Sequence, residues 1–157
     1  MVTNVLIPIE DLLFEDEIKE FLVQLNTLLF RLKILHVLDK NEAVMSWSSS
    51  EYITEGEALV RTFGEHLKDY FPGIQVETAV RDGVVKEVIA NEAGAFSADL
   101  ILMGTHGRKG IGNFLLGSTA KEVITLAPCS VVILRSKKSH SFDKTQKVAG
   151  ANQSTGN

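Results

Sequence analysis

The 157-residue chain holds one cysteine, three prolines and one tryptophan, and each scarcity excludes something. The single thiol, Cys129, has no intramolecular partner, so no disulfide framework supports the fold. None is needed, because a chain of this length buries roughly two thirds of its unfolded surface. Long uncharged runs are missing as well. The longest, Val123 to Leu134, has 12 residues, short of the ~20 that cross a bilayer as a helix. The opening Met1-Val2-Thr3-Asn4-Val5-Leu6-Ile7-Pro8 lacks the basic start, apolar run and small-residue cleavage site of a secretory leader. The expected compartment is therefore the cytoplasm. Excess positive charge is absent too: 16 Lys and Arg face 20 Asp and Glu, a net charge of −4 with a pI near 5.6. This balance argues against nucleic acid or a membrane as partner.

What is present reads as one folded domain. Hydrophobic residues make up 45% and charged residues 23% of the chain, with a mean hydropathy of +0.10, the balance of a compact globular protein. The charge is unevenly spread. Residues 136–157 hold Lys137, Lys138, Lys144 and Lys147 against Asp143 alone, a net of +3, which leaves 12 cations against 19 acids, or −7, in the remainder. That tail is small, polar and poor in apolar residues, so it is expected to be disordered. The domain is expected to span residues 1–135.

Along the domain, the hydrophobic period alternates between strand and helix. Val5-Leu6-Ile7-Pro8-Ile9 is a short apolar run of the kind a doubly covered strand gives. Ile18, Phe21, Leu22, Leu25, Leu28, Leu29 and Leu32 then recur at spacings of three and four, predicting an amphipathic helix with an acidic first turn. Lys33 to Leu38 reads as a second strand. A polar connection with Met45 and Trp47 leads to a long helix marked by Val60, Phe63, Leu67 and Tyr70 and stopped by Pro72-Gly73. Ile74, Val76 and Val80 predict a third strand ending at Arg81-Asp82-Gly83. Asp82 or Gly83 is then expected to cap a helix carrying Val85, Val88 and Ile89. Asp99 to Met103 is a fourth strand, Phe114 to Ala127 a last helix broken by Pro128, and Val131 to Leu134 a fifth strand. No internal repeat is seen. Strands alternating with helices predict an α/β fold, with a five-stranded, mostly parallel sheet and helices on both faces.

The richest segment is Gly104 to Thr119, in which five glycines fall within 14 positions. A strand that ends in glycine and feeds a helix can turn its backbone N–H groups inward without interference from Cβ atoms, a device for cradling phosphate. Ser118 offers a further hydroxyl donor. The segment contains no G-x-x-x-x-G-K-[ST], which excludes a Walker-type NTPase. Gly110-Ile111-Gly112 has no glycine three residues on and also fails the dinucleotide fingerprint.

Gly104, Gly107, Gly117 and Ser118 fit G-x2-G-x9-G-[ST], and the segment resembles the nucleotide-binding universal stress proteins. The flanking A-D-L-I-L-M-G-T-H-G, L-L-G-S-T-A-K-E-V and A-P-C-S-V-V-I-L-R, with L-I-P-I-E and L-H-V-L-D earlier, extend the likeness over residues 4–135. The resemblance implies a Rossmann-like sheet of order 3-2-1-4-5, as in the adenine nucleotide alpha hydrolases. It also implies an adenine-nucleotide site, for ATP with or without Mg2+, at the switch point between strands one and four. By position, Pro8, Ile9, Glu10 and Val37 would border the adenosine, and Met103 and Gly104 the ribose. Gly107, Gly117, Ser118 and Thr119 would meet the phosphates, with Arg108 and Lys109 adding charge. One departure stands out. Such proteins usually carry an aspartate where this chain has Glu10, and a small polar segment where it has Asp11-Leu12-Leu13-Phe14. Glu10 adds a methylene, and Leu13, Phe14 and Phe21 are expected to narrow the pocket.

Other candidates have simpler readings. No second His or Cys stands near His106 at ligand spacing, so no metal site is expected. His36 lies in a strand and reads as a satisfied core histidine, and Cys129 as an inert buried thiol. Trp47 could cover a bound base or simply pack. No catalytic triad emerges. The expectation is an ATP-binding regulatory module in the stress response, with slow or no hydrolysis and no catalytic residues. The alternative is a nucleotide-free interaction protein of the same fold. For either, the resemblance implies a homodimer joined through Val131 to Leu134, an apolar edge in need of cover.

Overall fold

The computed structural model describes residues 3–25, 30–39, 49–105 and 116–136. Five strands and four helices alternate along them: β1 (Thr3–Pro8), α1 (Glu15–Gln24), β2 (Phe30–Asp39), α2 (Ser49–Tyr70), β3 (Gln75–Gly83), α3 (Val85–Ala95), β4 (Leu100–Gly104), α4 (Ser118–Leu126) and β5 (Ser130–Leu134). The strands form one sheet of order β3-β2-β1-β4-β5, and all four pairings are parallel.

A strand sandwiched between helix layers must be apolar on both sides, which is why β1 and β4 read as unbroken hydrophobic runs. Their side chains divide by the two-residue period of the strand. Val5, Ile7 and Ile9 join Leu102, Leu32 and Ile34 in one core with Ile18 and Leu22 of α1 and Val60, Phe63 and Leu67 of α2. Leu6, Leu35, Ile101 and Met103 point the other way, to Ile89 and Ala93 of α3 and Ala120 and Val123 of α4. Each fully buried aliphatic side chain contributes roughly 2 kcal/mol, opposed by the entropy of ordering the chain. Two cores on one central sheet thus fix which helices cover which face.

Three boundaries differ from the sequence reading. The stripe from Ile18 to Leu32 is not one helix: α1 ends at Gln24, and Leu32 is a fully buried strand residue in register with Val5 and Val76. Apolar residues at strand positions continued the helical period by coincidence. Pairing on both sides of β2 decided the matter, since ladders to β1 and β3 satisfy backbone groups that an isolated helical turn would leave to water. Leu28 and Leu29 lie outside the described residues.

The second difference is that neither Asp82 nor Gly83 caps α3. Both pair with β2, opposite Leu38 and Asp39, and the N-cap is Val84, in extended conformation without a side-chain hydrogen bond. Gly83 has a φ of +146°, a region that disfavours side chains, and so turns the chain from β3 towards α3. The third is that α4 starts at Ser118, with Leu116 and Gly117 non-helical. Phe114 and Leu115 lie outside the described residues, as do Met45, Trp47 and residues 137–157 of the expected tail. Ser136 is described and buried. Among the described residues, no helix is long and apolar enough to cross a membrane.

Candidate functional site

The sheet order reverses direction at β1, whose neighbours β2 and β4 are reached by connections leaving on opposite sides. Such a reversal opens a crevice at the carboxyl ends of the strands. Here the register records it. β1 aligns with β4 at Val5↔Leu100 and Leu6↔Ile101, whereas its alignment with β2 runs on to Pro8↔Leu35 and that of β4 with β5 to Gly104↔Leu134. Pro8 brings no N–H to the seam.

The rim on the β1 side is built by Pro8, Ile9 and Glu10. The Ile9 N–H donates to the Leu35 carbonyl at 2.8 Å, and the Ile9 carbonyl accepts from Nδ1 of His36, also at 2.8 Å. His36 is half-buried against Gly56 of α2, where a Cβ would come within 2.8 Å of its ring. It is the satisfied histidine expected, and it also ties down the exit of β1. Glu10 beyond it is exposed. Val37 is half-buried and packs on the α3/α4 face of the sheet.

On the β4 side, Met103 turns its side chain into the α3/α4 core, so that only its main chain reaches the crevice. Gly104 follows. Thr105 is buried, its N–H donating to the Leu134 carbonyl at 2.9 Å and its own carbonyl accepting the Gly117 N–H at 2.8 Å. The two ends of the glycine-rich segment are therefore clasped together, and α4 begins next to the end of β4. Thr105 was not singled out in the sequence, although it lies between the first two motif glycines. Gly117 is the N-cap of α4, with φ −57° and ψ 153°, and no side chain caps that helix. Any residue adopts that conformation, so backbone geometry does not require glycine there. Exposed Ser118 and half-buried Thr119 open the helix, whose first N–H groups and dipole favour an anion. Gly107, Arg108 and Lys109 lie outside the described residues.

Across the crevice stands Phe14, the N-cap of α1. It is buried within the α1/α2 core, and its ring lies so close to Gly104 that a Cβ there would overlap Cγ, Cδ2 and Cε2. Of the residues expected to narrow the pocket, Phe14 alone reaches this position. Leu13 is exposed, and Phe21, partly buried, packs against the same core. The Asp11 carboxylate accepts the Leu13 N–H at 2.8 Å, closing a local turn. Behind Phe14, Glu15 meets Lys19 and His66 of α2, the His66 Nδ1 standing 3.0 Å from Oε1. Burial pushes the Glu15 pKa up, but the hydrogen bonds and charges of Lys19 and His66 outweigh it and hold the pKa below 4.5. The residues thus fit a nucleotide in part. Of the positions expected to meet a nucleotide, Ser118 and Thr119 stand at the N-terminus of α4, whereas the Phe14 ring lies against Gly104.

Elsewhere, Cys129 is half-buried, and burial, followed by the Asp99 carboxylate, raises its pKa, which keeps it a neutral thiol at physiological pH. Among the described residues, no group of three or more His, Cys, Asp or Glu side chains could hold a metal ion.

An open parallel sheet of order 3-2-1-4-5 with a crevice at its reversal defines a doubly wound, Rossmann-like α/β protein. The chain belongs to the universal stress protein family, whose profile it matches over residues 1–135. It is 39% identical over 84 residues, 54% of its length, to universal stress protein MJ0531 of Methanocaldococcus jannaschii. The match spans 48%, about half, of that relative. Among solved structures, hypothetical protein MJ0577 superposes with a TM-score of 0.71 at 24% identity, covering 85% of this chain and 95% of that one. A universal stress protein of Archaeoglobus fulgidus in complex with dAMP gives 0.60 at 14% identity, covering 83% and 96%. An Arabidopsis thaliana family member with AMP bound also gives 0.60, at 18% identity, covering 88% and 94%.

Proposed function

We propose that the chain is a cytoplasmic regulatory module of the stress response that binds an adenine nucleotide, ATP with Mg2+ first among them, and signals by occupancy rather than turnover. The observation that carries this reading is the clasp at the crevice. The Gly117 N–H is bonded to Thr105, and α4 thereby opens its uncapped N-terminus beside the end of β4. Phosphates are assigned to Gly117, Ser118 and Thr119, with Gly107 and Arg108 from the intervening segment. The ribose is assigned to Gly104 and the Met103 main chain, and the adenosine rim to Pro8, Ile9, Glu10 and Val37. The AMP and dAMP bound by family members of the same fold support the ligand class.

The test is calorimetric titration of the full chain with ATP and Mg2+, alongside Gly117→Val. Saturable binding that the valine abolishes is the expected result. Lack of binding by the native chain, or equal affinity in the variant, overturns the assignment.

A second reading, a nucleotide-free interaction protein, is favoured by the ring of Phe14 in the crevice. In both readings the half-exposed edge strand β5 pairs two copies. Sedimentation as a monomer at micromolar concentration rules that pairing out.

A further inference from the structure

We propose that Phe14 is the gate of this crevice: its ring occupies the nucleoside position on Gly104, and a nucleotide enters only when that ring swings out. The inference rests on the nucleotide-binding reading above and concerns how the site is controlled. A ribose lying on Gly104 and the Phe14 ring need the same volume, because that ring is in contact with the glycine main chain where no Cβ fits. The ring packs over Gly104 from the α1/α2 core, beyond the point where the β1–β4 alignment stops at Leu6↔Ile101. Ring and ligand are alternatives.

The surroundings suit a movable residue. Upstream, the segment from Glu10 to Leu13 is largely exposed, with Leu12 36% and Leu13 38% accessible, and is held by the Asp11 turn and a long 3.2 Å bond from the Glu15 N–H to the Leu12 carbonyl. The Phe14 carbonyl accepts the Ile18 N–H at 2.9 Å, and its side chain makes no capping bond. Downstream, the helix is fastened by buried Ile18 and Leu22 and by the Glu15 contacts to Lys19 and His66. Movement is therefore confined to Phe14 and the loop before it, ahead of Glu15. Opening sets Phe14 beside exposed Leu12 and Leu13, so occupancy changes the apolar surface at the carboxyl edge of the sheet.

A gate closed about nine tenths of the time weakens apparent affinity about tenfold. ATP titrations of the native chain, Phe14→Ala and Phe14→Leu test it, with amide hydrogen exchange of the native chain with and without saturating nucleotide. The expected results are affinity about tenfold tighter in Phe14→Ala, an intermediate value in Phe14→Leu, and faster exchange at residues 11–18 of the native chain when ATP is bound. Equal affinities in the native chain and both variants remove the gate and leave the nucleotide reading standing. Slower exchange at residues 11–18 with ATP does the same. If neither the native chain nor either variant binds, both fall. Should Phe14→Ala not fold, Phe14→Leu and the exchange of the native chain decide the question.

Discussion

The two ends of the seam between β1 and β4 are held by different forces. At the amino end, Asn4 and Asp99 exchange hydrogen bonds: the Asn4 N–H donates to Asp99 Oδ2 at 2.9 Å, and the Asp99 N–H donates to the Asn4 carbonyl at 2.9 Å. The Asn4 side-chain amide adds bonds to the carbonyls of Phe96 and Ser97, at 3.2 and 3.1 Å. At the carboxyl end the alignment stops and the Phe14 ring packs against Gly104. Directional bonds admit one geometry and set the register. Packing of an apolar ring is not directional in this way, and on the proposed gate this is the end that changes.

The largest effect expected on this comparison comes from Phe14. Phe14→Ala removes a buried ring and lowers stability by about 3 kcal/mol. Gly104→Ala alone forces its methyl group against that ring and costs about 1–3 kcal/mol. In the Phe14→Ala background the same alanine becomes nearly neutral, because the ring it would strike is gone. Urea denaturation of the four proteins measures this coupling, and simple additivity would show that the contact does not exist.

At the other end, Asn4→Ala loses the two side-chain bonds to the turn before β4 and keeps the backbone pair. The expected cost is about 1 kcal/mol, with nucleotide affinity unchanged. A loss of affinity equal to that in Gly117→Val would mean that the two ends are not independent.

The smallest effect is that of acid. The folded pKa of Glu15 lies below its ordinary 4.5, so its contribution to stability is complete above that value and is lost as pH falls through the folded pKa. Glu92, desolvated yet held low by Lys33 and Arg81, acts in the same sense from α3. Melting temperatures recorded downward from pH 6 are expected to fall less steeply for Glu15→Gln than for the native chain. Parallel curves would place the acid sensitivity elsewhere.

Much of this was legible in the residues. The apolar runs Val5-Leu6-Ile7 and Leu100-Ile101-Leu102-Met103 mark β1 and β4 because a doubly covered strand has to be apolar on both faces. The spacing of Gly104, Gly107, Gly117 and Ser118 marked the family, which the profile match over residues 1–135 bears out. The end of α1 was not legible, since Leu32 suits both a helical stripe and a strand, and only pairing on two sides separates them. Nor was the start of α4, where Leu116 and Gly117 continue an apolar run but the Gly117 N–H is drawn to Thr105. Asp82 has the chemistry of a cap, yet β2 offered it a ladder partner instead.

Period and glycine spacing are local properties of the chain, and they were enough for the class of the fold and its family. That Phe14 was bulky could be read from position 14. That its ring rests on Gly104, 90 residues away in sequence, was decided by the parallel order that brings the end of β4 beside the end of β1, and by the α1/α2 core that buries the ring.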